Sequence, residues 1–147
     1  MGNTYSFIDV SASLTGPTGS IDLGYGSANS EEGITVTMTE AKNTMTVGAD
    51  GEVMHSLHAG KSGTITVTLL KTSPVNKKLS LMYNAQSQSS ATWGNNVIVV
   101  RNKASGDITT ARSCAFQKQP DHANAKVGNT VSWVFDAGKI DQLLGEF

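Results

Sequence analysis

The sequence predicts a mainly β domain: a β-sandwich or partly closed β-barrel with one flanking α-helix and a long extended arm. Three observations predict it. Two segments, 34–39 and 63–70, alternate threonine with apolar residues, the period-two signature of strands with one buried and one polar face. A single segment carries a helical stripe behind a capping residue. Between the two alternating segments lie residues 41–62, too long for a hairpin turn and too apolar for a free loop.

The elements follow in chain order. Residues 5–14 read as a strand with Ile8, Val10, Ala12 and Leu14 on one face and Tyr5, Phe7 and Asp9 on the other. Gly16-Pro17-Thr18-Gly19 makes a turn, and 20–23 pairs back as a short strand. Residues 24–33 are polar and flexible. Ile34, Val36 and Met38 then alternate with Thr35, Thr37 and Thr39, as Ile65, Val67 and Leu69 do with Thr64, Thr66 and Thr68. The helix is expected over about 74–87, with Ser73 as cap, Pro74 in the first turn, and Val75, Leu79, Met82 and Tyr83 as its apolar stripe. Residues 97–101 and 108–117 read as a hairpin, and 130–137 as a last strand with Val131, Trp133 and Phe135 inward. A short apolar tail holds Leu143, Leu144 and Phe147.

At 147 residues, 1–147 fits one domain. Hydrophobic residues make up 38%, a lean share for a monomer core, and 16 Thr with 16 Ser fill the difference. Net charge of −1 argues against a protein that holds nucleic acid by neutralising phosphates. Its distribution is uneven: residues 1–41 carry five acids and no Lys or Arg, while all eleven basic residues fall between Lys42 and Lys139. Such a chain either scatters charge over exposed strands or sets an acidic third against the basic remainder of a neighbouring copy. The lone Cys114 excludes an internal disulfide and reads as a small core residue. Neither a membrane span nor a secretory signal is evident. Met1-Gly2 with Ser6 fits the short myristoylation pattern, but nothing nearby supplies a second anchor, so no membrane anchor is expected.

Chemistry is poorly represented. Gly60-Lys61-Ser62 ends like a phosphate-binding loop, yet His55 stands where the first glycine belongs and a strand follows instead of a helix. His55, His58 and His122 lack the companions of a zinc site, and no nucleophile elbow occurs, so no catalytic residues, metal or cofactor are expected. An alternative of another class is a carbohydrate-binding β-sandwich of a baseplate or adhesin, using Trp93, Asn95 and Asn96 in a loop.

Three passages resemble the tail tube proteins of contractile-tailed phages: Asn3-Thr4-Tyr5-Ser6-Phe7 through Ser13-Leu14-Thr15-Gly16-Pro17, Glu31-Glu32-Gly33-Ile34 through Gly60-Lys61-Ser62-Gly63-Thr64, and Val131-Ser132-Trp133-Val134-Phe135-Asp136. The resemblance is closest at Met38-Thr39-Glu40 and Gly48-Ala49-Asp50-Gly51 and looser over 86–126. It implies a virion protein, assembled in the host cytoplasm, that forms hexameric rings stacked into a tube. Sheath, baseplate and tail terminator would be its partners, and genomic DNA would pass through the channel without being held.

Two expectations join the resemblance to the residues. The arm at about 41–62 reaches a neighbouring subunit and buries Met45, Val47, Met54 and Leu57 there, while Lys42 and Lys61 meet Glu31 or Glu32. A channel for fast passage of DNA needs polar, non-basic walls, which Thr35, Thr37, Thr39, Thr64, Thr66 and Thr68 could supply.

Overall fold

A computed structural model describes residues 3–27 and 29–146, without the side chains of 30–32. The Met1-Gly2 pattern and Phe147 lie outside the described residues. The alternating segments form strands of one seven-stranded antiparallel sheet. Its strands are β1 (Val10–Gly16), β2 (Gly19–Asp22), β3 (Asn29–Met38), β6 (Gly63–Leu70), β7 (Asn96–Asn102), β8 (Ile108–Phe116) and β9 (Thr130–Leu143). They lie in the order β2-β1-β7-β8-β9-β6-β3. The arm holds β4 (Asn43–Val47) and β5 (Val53–Leu57), which pair only with each other. The helix, α1, spans Val75–Gln86.

The sheet is strongly curled, and chain connectivity requires it. Laid flat, seven strands put the outer two about 29 Å apart, at roughly 4.8 Å per step. The connection from β2 to β3 can reach at most about 25 Å, and much of it runs along β1 instead. Leu23 and Tyr25 donate their N–H groups to the Ala12 and Val10 carbonyls, and Ser27 closes a turn on Gly24. Gly24 is required there, because a Cβ would stand 2.7 Å from the Ala12 backbone nitrogen. Among the described residues no ladder joins β2 to β3, so the curled sheet does not close into a full barrel.

The concave face carries the core. Ile65, Val67 and Leu69 of β6 pack beside Trp133 and Phe135 of β9, with Leu14, Ile21 and Ile98 from the opposite edge. Phe116 sits at the centre, its ring 4.8 Å from Phe135, 5.5 Å from Tyr83 and 5.9 Å from Trp133. Helix α1 covers this face with Val75, Leu79 and Met82. Ser73 serves the helix start as expected: its Oγ accepts from the Val75 N–H and donates to the Ser27 carbonyl, tying α1 to the β2–β3 crossing.

Three local readings change. The stretch 24–33, read as flexible, is strand from Asn29 onward, where β3 begins. The first strand begins at Val10, not at residue 5, because Ser6 Oγ accepts the Ile8 N–H and caps a 3-10 turn at Phe7–Asp9. That turn leaves Ile8 exposed. The last strand runs on to Leu143 and buries Ile140, so part of the apolar tail belongs to the sheet.

One buried polar pair locks the helix end to the sheet. Gln86 and Asn96, both fully buried, exchange two hydrogen bonds of 2.7 and 2.8 Å. Gly16 lets β1 approach this clasp, since a Cβ there would meet the Asn96 side-chain oxygen. Replacing Asn96 by Ala leaves the Gln86 side-chain oxygen without its donor, while the Gln86 nitrogen keeps Thr18 Oγ1, and a buried unsatisfied group costs about 1–3 kcal/mol. Urea unfolding of Asn96→Ala is expected to show that loss; an unchanged midpoint would mean the clasp contributes nothing.

Candidate functional site

The convex face of the sheet is hydroxyl-rich. Strand register places Thr35 opposite Thr66 and Thr37 opposite Thr64, all pointing away from the core residues that alternate with them. Thr68 lies opposite Ser132, their oxygens 3.4 Å apart. Thr35 and Thr37 are exposed, Thr64 and Thr66 half-buried, and Thr68 buried. Thr39 lies just past β3, its N–H on the Ser62 carbonyl. The same face continues through Asp136 on β9, Thr110 and Arg112 on β8, Val99 and Arg101 on β7, and Ser11 and Ser13 on β1. Its charges are mixed: Asp22, Asp136 and Asp141 stand among Arg101, Arg112 and Lys139, with Lys61 bonded to Asp141 at the margin.

The arm is a hairpin standing off the body. Nine of the ten residues of β4 and β5 are exposed, including Met45, Val47, Val53, Met54 and Leu57. Register divides them: Met45 faces His55, Val47 faces Val53 and Asn43 faces Leu57, whereas Thr46 faces Met54 and Thr44 faces Ser56. One side of the ribbon therefore carries Met45, Val47, Val53 and Leu57. Met54, grouped with them from sequence, points to the other side, and Val53 takes its place. His55 and His58 also separate, the first bonded to Asn43 and the second to Thr44.

The root of the arm is clamped. Lys61 Nζ lies 3.2 Å from Asp141, and Arg112 reaches the other carboxylate oxygen at 2.9 Å. The Lys61 hydrogen bond, aided by Arg112 and the charge of Lys139, holds the Asp141 carboxyl below its ordinary value of 3.8. That depression makes the clamp fully effective above the ordinary value and weakens it only as pH falls through the lower folded one. Lys61 thus has an acid within its own chain, and Lys42 anchors the hairpin through its carbonyl, which accepts the His58 N–H. The side chains of Glu31 and Glu32 lie outside the described residues.

Near the arm root the curled sheet opens into a cavity of about 960 Å3. Its walls are the ends of the core-facing rows, Ile34, Val36 and Val100, and its rim carries Tyr5, Phe7 and Tyr25. No residue of 39–62 lines it. The aromatic rim went unread in the sequence because it forms only when the N-terminal segment and the β2–β3 crossing meet.

The loop proposed for sugar binding does not offer its residues. Trp93 packs 5.9 Å from Tyr83 and 6.3 Å from Phe116 against the core, and Asn96 is committed to Gln86. Asn95 bonds back to the Ala91 carbonyl.

An exposed apolar hairpin thus stands on an open, hydroxyl-faced sheet that bears no catalytic geometry among the described residues, and the family comparison says where such a chain belongs. A model of the bacteriophage PhiTE tail tube protein family matches residues 2–145. The chain belongs to this family. It is a structural protein of a phage tail, and the family is not an enzyme class. Solved structures show the same fold at great sequence distance. A chain from the sheath/tube terminator of PVC, an extracellular contractile injection system in the extended state, is 9% identical with a TM-score of 0.62, over 97% of this chain and 99% of that one. A chain from the PVC sheath-tube complex is 10% identical at 0.59, over 97% and 93%. One from the anti-feeding prophage tube-terminating cap is 9% identical at 0.54, over 99% and 95%. No curated protein sequence matches. Among the described residues no helix is long and apolar enough to cross a membrane.

Because the hairpin stands outside the core, Val47→Ser with Leu57→Ser is expected to shift monomer unfolding by no more than about 0.5 kcal/mol per site, the usual range for surface changes. Circular dichroism and urea unfolding check this. A collapsed β signal would place these side chains in the core instead.

Proposed function

We propose that this chain is a tail tube subunit that forms hexameric rings, stacks them into a tube, and conducts genomic DNA through the channel. The observation that carries the reading is the hairpin. An isolated two-stranded ribbon is marginal in water, yet this one presents four exposed apolar side chains on one side, with no other strand of the described residues paired to it. A neighbouring copy supplies the missing surface, and each side chain so buried contributes about 1.5–3 kcal/mol. The free edges of β2 and β3 favour the same conclusion, since unpaired strand edges invite pairing unless they are covered.

The convex face suits a channel wall. Its hydroxyls offer hydration without charge, and its acids and bases are interspersed, with Lys61 and Arg112 both paired to Asp141, which leaves little free positive charge for phosphates. The six threonines, Thr35, Thr37, Thr39, Thr64, Thr66 and Thr68, lie at the β3–β6 side of that wall, where Thr68 is already committed inside the sheet. Sheath, baseplate and terminator proteins are the partners this role requires, and assembly would take place in the host cytoplasm.

Assembly is tested by light scattering and negative-stain microscopy across protein concentration and salt. Rings or tubes of the wild type are expected, and the Val47→Ser/Leu57→Ser variant is expected to remain a folded monomer. A wild type that stays monomeric throughout would contradict the role.

Passage of DNA is tested by gel shift at physiological salt. The protein is expected to retard duplex DNA no more than a neutral control does, because few phosphates are neutralised. Tight, salt-sensitive retardation would point away from a conducting channel.

A further inference from the structure

We infer that the open mouth of the curled sheet is the receptor for the hairpin of a second copy, which seats its Met45, Val47, Val53 and Leu57 side there beside the free edge of β3. The inference rests on the tube reading and names the surface that the arm engages. The mouth is an interior left unfinished: Ile34, Val36 and Val100 continue the core rows, but α1 covers the other end of the sheet. Tyr5, Phe7 and Tyr25 frame the opening, with Tyr5 and Tyr25 exposed. This apolar patch and aromatic rim, bordered by Asn102, Asp107, Thr109 and Gln142, suit an occupant with one apolar side.

The chain carries a matching occupant. Leu57 is 81% exposed and Met45 57%, the mark of side chains whose partner lies elsewhere. The hairpin does not fill its own mouth, because the Lys61–Asp141 clamp and the bond from the Ile140 N–H to the Lys61 carbonyl fix its exit from the body. Ile34 and Val36 belong to β3, an edge strand, so an arriving ribbon can also bond to its outward amides and carbonyls.

The test places one cysteine on each surface in separate proteins, Val36→Cys in one and Val53→Cys in the other. Native Cys114 does not interfere: it is fully buried, and burial pushes its thiol up to about 11. The two proteins are mixed, assembled and treated with a short bismaleimide. A covalent dimer is expected from the mixture, at least tenfold above either protein alone, and it should vanish when Leu57→Asp accompanies Val53→Cys. Tubes that form without the mixed dimer would overturn the docking while leaving the tube reading intact. A protein carrying both cysteines that crosslinks within one chain as a dilute monomer would also overturn it, by seating the arm in its own mouth. Failure of the wild type to assemble at all would overturn both.

Discussion

Because the chain crosses from one edge of the sheet to the other within residues 23–28, the sheet cannot lie flat, and most of the molecule's form follows. The short crossing brings β2 and β3 toward each other and gives the sheet a concave and a convex side. The concave side gathers the apolar rows around Phe116, closed by α1 and pinned where Ser73 meets the Ser27 carbonyl. The convex side keeps the threonines. The crossing does not close the barrel, however, and at the far end the core rows run out into an open mouth. Curling therefore produces both a stable subunit and an unfinished one.

The interactions that hold the subunit differ in kind from those left for its neighbours. Inside, large side chains are fully buried, and Gln86 and Asn96 satisfy each other through reciprocal bonds, while Asn29 Oδ1 is buried without a partner among the described residues. Outside, a ribbon with four apolar side chains on one face projects from a clamped root. In the proposed tube, burial of that face across a subunit boundary would add to assembly while leaving the fold of each copy nearly unchanged. Repetition at every boundary would then turn a modest contact into a stable polymer, which suits a lean core.

Much of this was legible in the sequence, for physical reasons that also mark where legibility ends. The Thr-apolar alternation of β3 and β6 survived into paired strands because tertiary packing and local period agree there. Ser73 and Pro74 announced α1 because capping is a local signal. The first strand was misread where another local signal, the Ser6 cap, overrides alternation through Ile8. Within the arm, Val53-Met54-His55-Ser56-Leu57 does not alternate cleanly, so only the register against β4 reveals that Met54 faces away from Met45 and Val47. Long-range pairings were invisible: Lys61 finds Asp141 eighty residues later, and Asn96, which looked available in a loop, is consumed by Gln86.

The claim at the centre of this account is that copies of the chain complete one another at the hairpin and the β3 edge. Amide hydrogen exchange, compared between dispersed subunits and assembled particles, addresses it most directly. Residues 34–38 and 43–57 should exchange readily in the dispersed protein, at least at their outward amides, and become strongly protected on assembly. Core amides of β6 and β9 should be protected in both states. Assembled particles in which the hairpin and the β3 edge exchange as fast as in the free subunit would contradict the account.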